Sequence, residues 1–161
     1  MIAFYFLAVT LIIAYLSYTI IKFREIPISI SNTYYMWKEV KKEWMFTFTM
    51  WITAISIAIY WISIAELYRC QFLCFFSIAG MCFVGGAAMF KETLTKATHY
   101  ISAGIWGVSA VLFFAVNSMF LPLCLGMLGG LLGLFANRMQ NSTFWVEIMV
   151  VLAMMFGIAL M

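Results

Sequence analysis

"WMFTFTMWITAISIAIYWISIA", residues 44–65, carries no charged side chain and runs past the ~20 residues that an α-helix needs to cross the hydrocarbon core of a bilayer. Its apolar residues are continuous rather than alternating, whereas a barrel strand facing lipid shows a period of two. Five further stretches share this character: Ile2 to Ile21, Phe72 to Phe90, Thr98 to Val116, Phe120 to Ala136 and Thr143 to Met161. Lipid offers no partners to backbone N–H and C=O groups, so each run closes its own hydrogen bonds as a helix. The expected fold is all-α: one transmembrane domain over 1–161, with six transmembrane helices and a short interfacial helix in the first loop.

Composition points the same way. Of the 161 residues, 66% are hydrophobic and 9% are charged, against about 25% charged in soluble domains. A chain of this size has too little interior to hide that much apolar surface from water. The first segment is not read as a cleaved signal, because its flanking positive charges, Lys22 and Arg24, follow the apolar run instead of preceding it.

Six crossings place the loops after the first, third and fifth segments on one side. Those loops hold Lys22, Arg24, Lys38, Lys41, Lys42, Lys91, Lys96 and Arg138, and the opposite side holds Arg69 alone. Short Lys- and Arg-rich loops stay in the cytoplasm. The expected location is therefore a bacterial inner (plasma) membrane, multi-pass, with both termini outside and loops 1, 3 and 5 cytoplasmic. The net charge of +3 reads as an orientation signal and not as a nucleic-acid footprint.

The first loop, "KFREIPISISNTYYMWKEVKKEW", is the longest polar stretch. Pro27 stops the first helix, and Ser29, Ser31, Asn32 and Thr33 offer oxygens to cap a new one. Tyr34, Trp37, Lys41 and Trp44 then recur at helical spacing, with Lys38 and Lys42 one turn apart on a neighbouring face. Amphipathic rings and lysines favour the headgroup layer, so Tyr34, Tyr35, Trp37, Lys38, Lys41, Lys42 and Trp44 are the expected interfacial contacts. The simpler reading is an orientation anchor; the sharper one is a docking site for a lipid headgroup or a cytoplasmic partner.

Packing between membrane helices depends on close approach of backbones. Gly126 and Gly130 stand four apart, as do Gly129 and Gly133, giving the fifth segment a flat strip; Ala103 and Gly107 supply small residues on the fourth. The strip is expected to seat the bundle within one chain, with a homo-oligomer as the alternative. Thr49, Thr53 and Ser56 are expected to hydrogen-bond across helices, and Glu66 and Arg69, three apart, suit a local ion pair.

The residues also exclude chemistries. All six acidic residues are glutamates, so aspartyl dyads, aspartyl-phosphate chemistry and a Ser-His-Asp triad are out. No GxxxxGK[ST] or GxGxxG motif holds a nucleotide. Cys70, Cys74, Cys82 and Cys124 lack metal-site spacing, and one histidine does not complete a zinc shell. They read as small buried hydrophobes, with a Cys70–Cys74 disulfide as the alternative. "GVSA", Gly107 to Ala110, faintly resembles a rhomboid-type protease serine motif, but His99 lies about 15 Å from Ser109 along the same helix. No cofactor, metal or catalytic residue is expected.

The candidate functional cluster is His99 with Glu147, flanked by Lys91, Lys96 and Arg138 at the same interface. Glu147 falls about one turn inside the sixth segment, where a carboxylate is costly unless it snorkels, pairs or protonates. The simpler reading is a glutamate bonded to Lys, Arg or His that ties the fourth and sixth segments together. The functional one is a pH-sensitive pair guarding a cytoplasmic opening.

"IPISISNTYYMWKEVKKEWMFTFTMW" with "FVGGAAMFKETLTKATHYISA" resembles small polytopic membrane proteins of unknown function from Bacteroidales and their phages, through Pro27, Ser29, Ser31, Thr33, Tyr34, Tyr35, Gly85, Phe90, His99 and Tyr100. The His99 helix start is also distantly similar to Frag1/DRAM-type six-helix membrane proteins. Neither resemblance implies a reaction; both imply that the first loop and the His99 region form the family's distinctive surface. The expected function is a non-enzymatic membrane module binding membrane lipids or a protein partner. The alternative is a small transporter or channel subunit with proton coupling through Glu147 and His99.

Overall fold

The structure, a computed structural model, describes the backbone at residues 2–87 and 93–161 and the side chains at 2–86 and 98–161. Among the described residues there are seven helices and no strand: α1 (Ile2–Phe23), α2 (Asn32–Glu39), α3 (Trp44–Ala65), α4 (Phe72–Ala87), α5 (Thr93–Val116), α6 (Phe120–Ala136) and α7 (Ser142–Ala159). α1, α3, α7 and the Thr98–Val116 part of α5 are long and apolar enough to cross a membrane. The described part of α4 has 16 residues and α6 has 17. At 1.5 Å per residue α6 reaches about 25 Å, short of the ~30 Å hydrocarbon core. Four of the six expected spans therefore have full membrane length among the described residues.

The turns explain where the helices stop. Arg24, Lys41, Cys70, Ser118, Arg138, Met139 and Asn141 all adopt left-handed backbone with φ of 50–62°, the conformation that reverses a chain after a helix. No glycine has positive φ; the ten glycines are spent inside helices instead. Pro27 is buried just beyond α1, as its place in the sequence predicts.

In space α1 packs on α3, α3 on α4, α4 on α5, and α6 on α7, with α7 also meeting α5. At the end away from the first loop, Trp61 stacks on Phe114 with ring centroids 5.7 Å apart and meets Phe113 edge-on at 5.4 Å. All three rings are buried, and Gly157 of α7 lies against the Phe114 ring, where any Cβ would collide. Tyr5 of α1 donates to the Met155 carbonyl of α7 at 2.9 Å. The outward faces are apolar: Phe75, Phe83 and Leu132 are each about 60% exposed, a surface suited to lipid rather than water.

The glycine strip of α6 faces α7 in the same chain. A Cβ on Gly126 would stand 2.5 Å from the Met149 carbonyl oxygen, one on Gly129 2.6 Å from Leu152, and one on Gly130 2.9 Å from the Trp145 carbonyl oxygen; Gly133 lies under the Trp145 ring. All four glycines of the strip thus have their close neighbours in α7 of the same chain. Gly80 serves α4 and α5 likewise, 2.7 Å from the Ser102 carbonyl oxygen.

Two expected polar contacts take other forms. Among the described residues Glu66 and Arg69 form no ion pair. Instead the Arg69 N–H donates to Asn117 Oδ1 at 2.9 Å, and Asn117 Nδ2 donates to the Arg69 and Phe113 carbonyls. Of the expected interhelical stripe, the buried Thr53 hydroxyl has no partner among the described residues; outside that stripe, the Thr47 hydroxyl donates to the Gly85 carbonyl of α4 at 3.3 Å. Cys70, Cys74, Cys82 and Cys124 are free thiols; Cys74 is buried, Cys70 and Cys82 are half-buried, and Cys124 is exposed.

Candidate ligand cavity

The first loop does not lie idle on the surface. Its piece 26–30 bonds to the start of α7. Asn141 Nδ2 donates to the Ile26 carbonyl at 2.7 Å, and the Phe144 N–H donates to the Ile28 carbonyl at 3.0 Å. The Ile30 N–H in turn donates to Glu147 Oε2. Three alternate residues of the loop thereby satisfy polar groups of the last helix. Asn141, in left-handed backbone at the N-cap, makes no side-chain cap, and the loop carbonyl fills that role for one of the N–H groups a helix start leaves free.

Between this loop, α5 and α7 lies a cavity of about 340 Å³. The loop contributes Ile28, Ser29 and Ser31; α5 contributes His99, Tyr100, Ala103, Trp106 and Gly107; α7 contributes Thr143, Val146, Glu147 and Val150. Residues 99 to 107 are spaced to face one side of α5 over about 12 Å of axis. Polar atoms gather at the loop end, where Ser29 and Ser31 hydroxyls bond each other at 3.0 Å and the Asn32 N–H donates to Ser29. The far end is apolar, and Trp106 there is fixed by its Nε1–H donating to Met154 Sδ at 3.3 Å.

His99 and Glu147, expected to share a boundary, line this one cavity. Glu147 accepts from a backbone amide and makes no ion pair among the described residues. Among the described residues its partner is Ile30 N, which a sequence does not mark. His99 is half-buried, its ring edge-on to Tyr100 at 5.9 Å, and its Nδ1 is buried with no hydrogen-bond partner among the described residues. Arg138 is exposed in the turn before α7 and is not a cavity wall. Lys91 lies outside the described residues, as does the side chain of Lys96.

The small residues Ala103 and Gly107 line the cavity, and Gly107 faces Val150 at an ordinary 3.6 Å for an added Cβ. They leave space there instead of only drawing helices together.

The expected interfacial residues divide. α2 forms at Asn32–Glu39 with Ser29 Oγ, rather than the N-cap Ser31, accepting from its first N–H. Trp37 is buried, which corrects its assignment as a headgroup contact: Trp37 Nε1–H donates to Thr19 Oγ1 at 2.9 Å, and its ring lies between Tyr18 and Phe23. Tyr34 is mostly buried too, but it borders a groove on α3. Tyr15 of α1 likewise donates to Thr33 Oγ1 at 2.7 Å. Burial, then Glu43 and Tyr35, push the Tyr34 hydroxyl above its ordinary range. Tyr35, Lys41, Lys42 and Trp44 remain exposed, and Lys38 is half-buried.

The chain matches no protein-family model, no curated protein and no solved structure.

Proposed function

We propose that the chain is a multi-pass inner-membrane protein in which α4 and α6 cross together with the four longer helices, the bilayer thinning locally around them. Both termini then face outward, and the lysine-bearing loops face the cytoplasm. In this reading the protein is a non-enzymatic binding module, and the cavity between the first loop, α5 and α7 takes the head of a lipid or similar small amphiphile. The observation that carries it is the cavity itself. Its volume falls in the range of small-molecule sites, and it joins an unpartnered His99 Nδ1, hydroxyls and a carboxylate at one end to an apolar wall at the other. A protein partner would need a broader surface.

Gly107→Leu tests this reading, because an added Cβ there meets only Val150 at contact distance, so the longer side chain fills the cavity without moving backbone. Native mass spectrometry of gently extracted protein should show a bound amphiphile on the unaltered chain and its loss in Gly107→Leu and His99→Ala. Retention in both variants, or no adduct on the unaltered chain, would sink the assignment.

A second reading is supported by Glu147, which sits on a membrane-length helix and lines a cavity, with no cation beside it among the described residues. Here the protein is a small transporter or channel subunit that couples to protons through Glu147 and His99. Proteoliposomes would then show a pH-dependent flux that Glu147→Gln abolishes. The binding reading expects no flux.

A further inference from the structure

We propose a second site, separate from that cavity: a groove on the outer side of α3 that holds the primary ammonium headgroup of a membrane phospholipid of the ethanolamine type. The groove, about 510 Å³, is walled by Tyr34, Glu43, Trp44, Phe48, Trp51 and the isoleucines that follow down α3. Trp44, Phe48, Trp51 and Ile55 recur at three- and four-residue steps and so share one helix face, and all four are exposed.

The aromatic walls are held in place. Trp51 Nε1–H donates to the Cys82 carbonyl of α4 at 3.2 Å, and the Trp44 and Phe48 rings meet edge-on with centroids 6.2 Å apart. In this company Glu43 Oε2 is buried and has no hydrogen-bond partner among the described residues. A carboxylate oxygen taken out of water without a donor is unfavourable, while aromatic faces attract a cation. One ligand answers both needs: a cation that still carries N–H bonds. A trimethylammonium group satisfies the rings but has no proton to give to Glu43, whereas a primary ammonium supplies three.

The source of that ammonium is argued from position, and this step rests on reading α3 as a membrane span. The groove continues onto apolar residues of a membrane-length helix, and the Trp44–Phe48 ridge also walls a neighbouring apolar hollow between α1 and α3. Acyl chains fit there and free amines do not need it. Lys41 and Lys42, exposed in the turn before Glu43, complement a headgroup phosphate.

The test is native mass spectrometry of the full chain offered equal amounts of phospholipids with identical acyl chains and headgroups bearing a primary, mono-, di- or trimethylated ammonium. Retention should fall along the series, by about tenfold from first to last, as expected for loss of a charge-assisted hydrogen bond. Glu43→Gln should flatten the series, while Gly107→Leu and His99→Ala, which alter only the other cavity, leave it unchanged. A flat series on the unaltered chain, a preference for the trimethylated lipid, or a preference surviving Glu43→Gln overturns the proposal. So does a series that collapses in Gly107→Leu, since that outcome assigns the lipid to the other cavity. The methylation series uses the unaltered protein and decides the matter even if Glu43→Gln does not fold.

Discussion

Among the described residues Glu147 is tied to a backbone amide and not to a charge, and the two possible losses at this residue differ in size. Glu147→Ala strips the Ile30 N–H of its acceptor inside the protein, at a cost of about 1–3 kcal/mol. Glu147→Gln keeps a carbonyl oxygen in place and should cost less than half as much. Thermal unfolding of the purified variants, followed by circular dichroism, checks this; equal midpoints would mean that the amide finds another partner. That His99 and Glu147 line one cavity is in keeping with counting helices along the chain, which places both at one end of the bundle. Ile28 and Ile30 were not legible in this role, since what they contribute is main-chain carbonyl and amide, which every residue carries. Asn117 was hidden for a related reason: its three hydrogen bonds are to backbone groups of Arg69 and Phe113.

At the level of elements, the glycines sort by what stands opposite them. Gly130 of α6 faces the Trp145 carbonyl, whereas Gly104 of α5 has nothing within 4 Å of where a Cβ would lie. Gly130→Leu should therefore force α6 and α7 apart, costing at least the ~1–3 kcal/mol of an overpacked core, and Gly104→Leu should be silent. Midpoints of thermal unfolding and the elution profile in mild detergent would show the contrast. A silent Gly130→Leu would mean that the two helices do not meet on that strip. The spacing of these glycines announced a packing face. The inward turn of α2 was not announced in that way, because a tyrosine or tryptophan reads identically whether its polar edge meets a headgroup or, as Trp37 does, the Thr19 hydroxyl of another helix. α4 and α6 stayed ambiguous too, their apolarity being plain and their length marginal.

For the whole molecule, the inferred threading makes a direct demand: a fluorescent reporter that matures only in the cytosol, fused after Met161, should stay dark, and the same reporter inserted beside Lys41 should light. The opposite pattern would turn the cavity mouth outward and remove the basis for placing the lysines against a cytoplasmic leaflet. The links between α1 and α7 have their own consequence. Tyr5 joins Met155 near one end, and residues 26–30 join 141–147 near the other, so although α1 can settle on α3 early, these particular bonds wait for α7 to be made. Until then the Ile26 and Ile28 carbonyls and the Ile30 amide lack the partners they have in the finished fold, and a chain halted before α7 is the form most open to quality-control proteases.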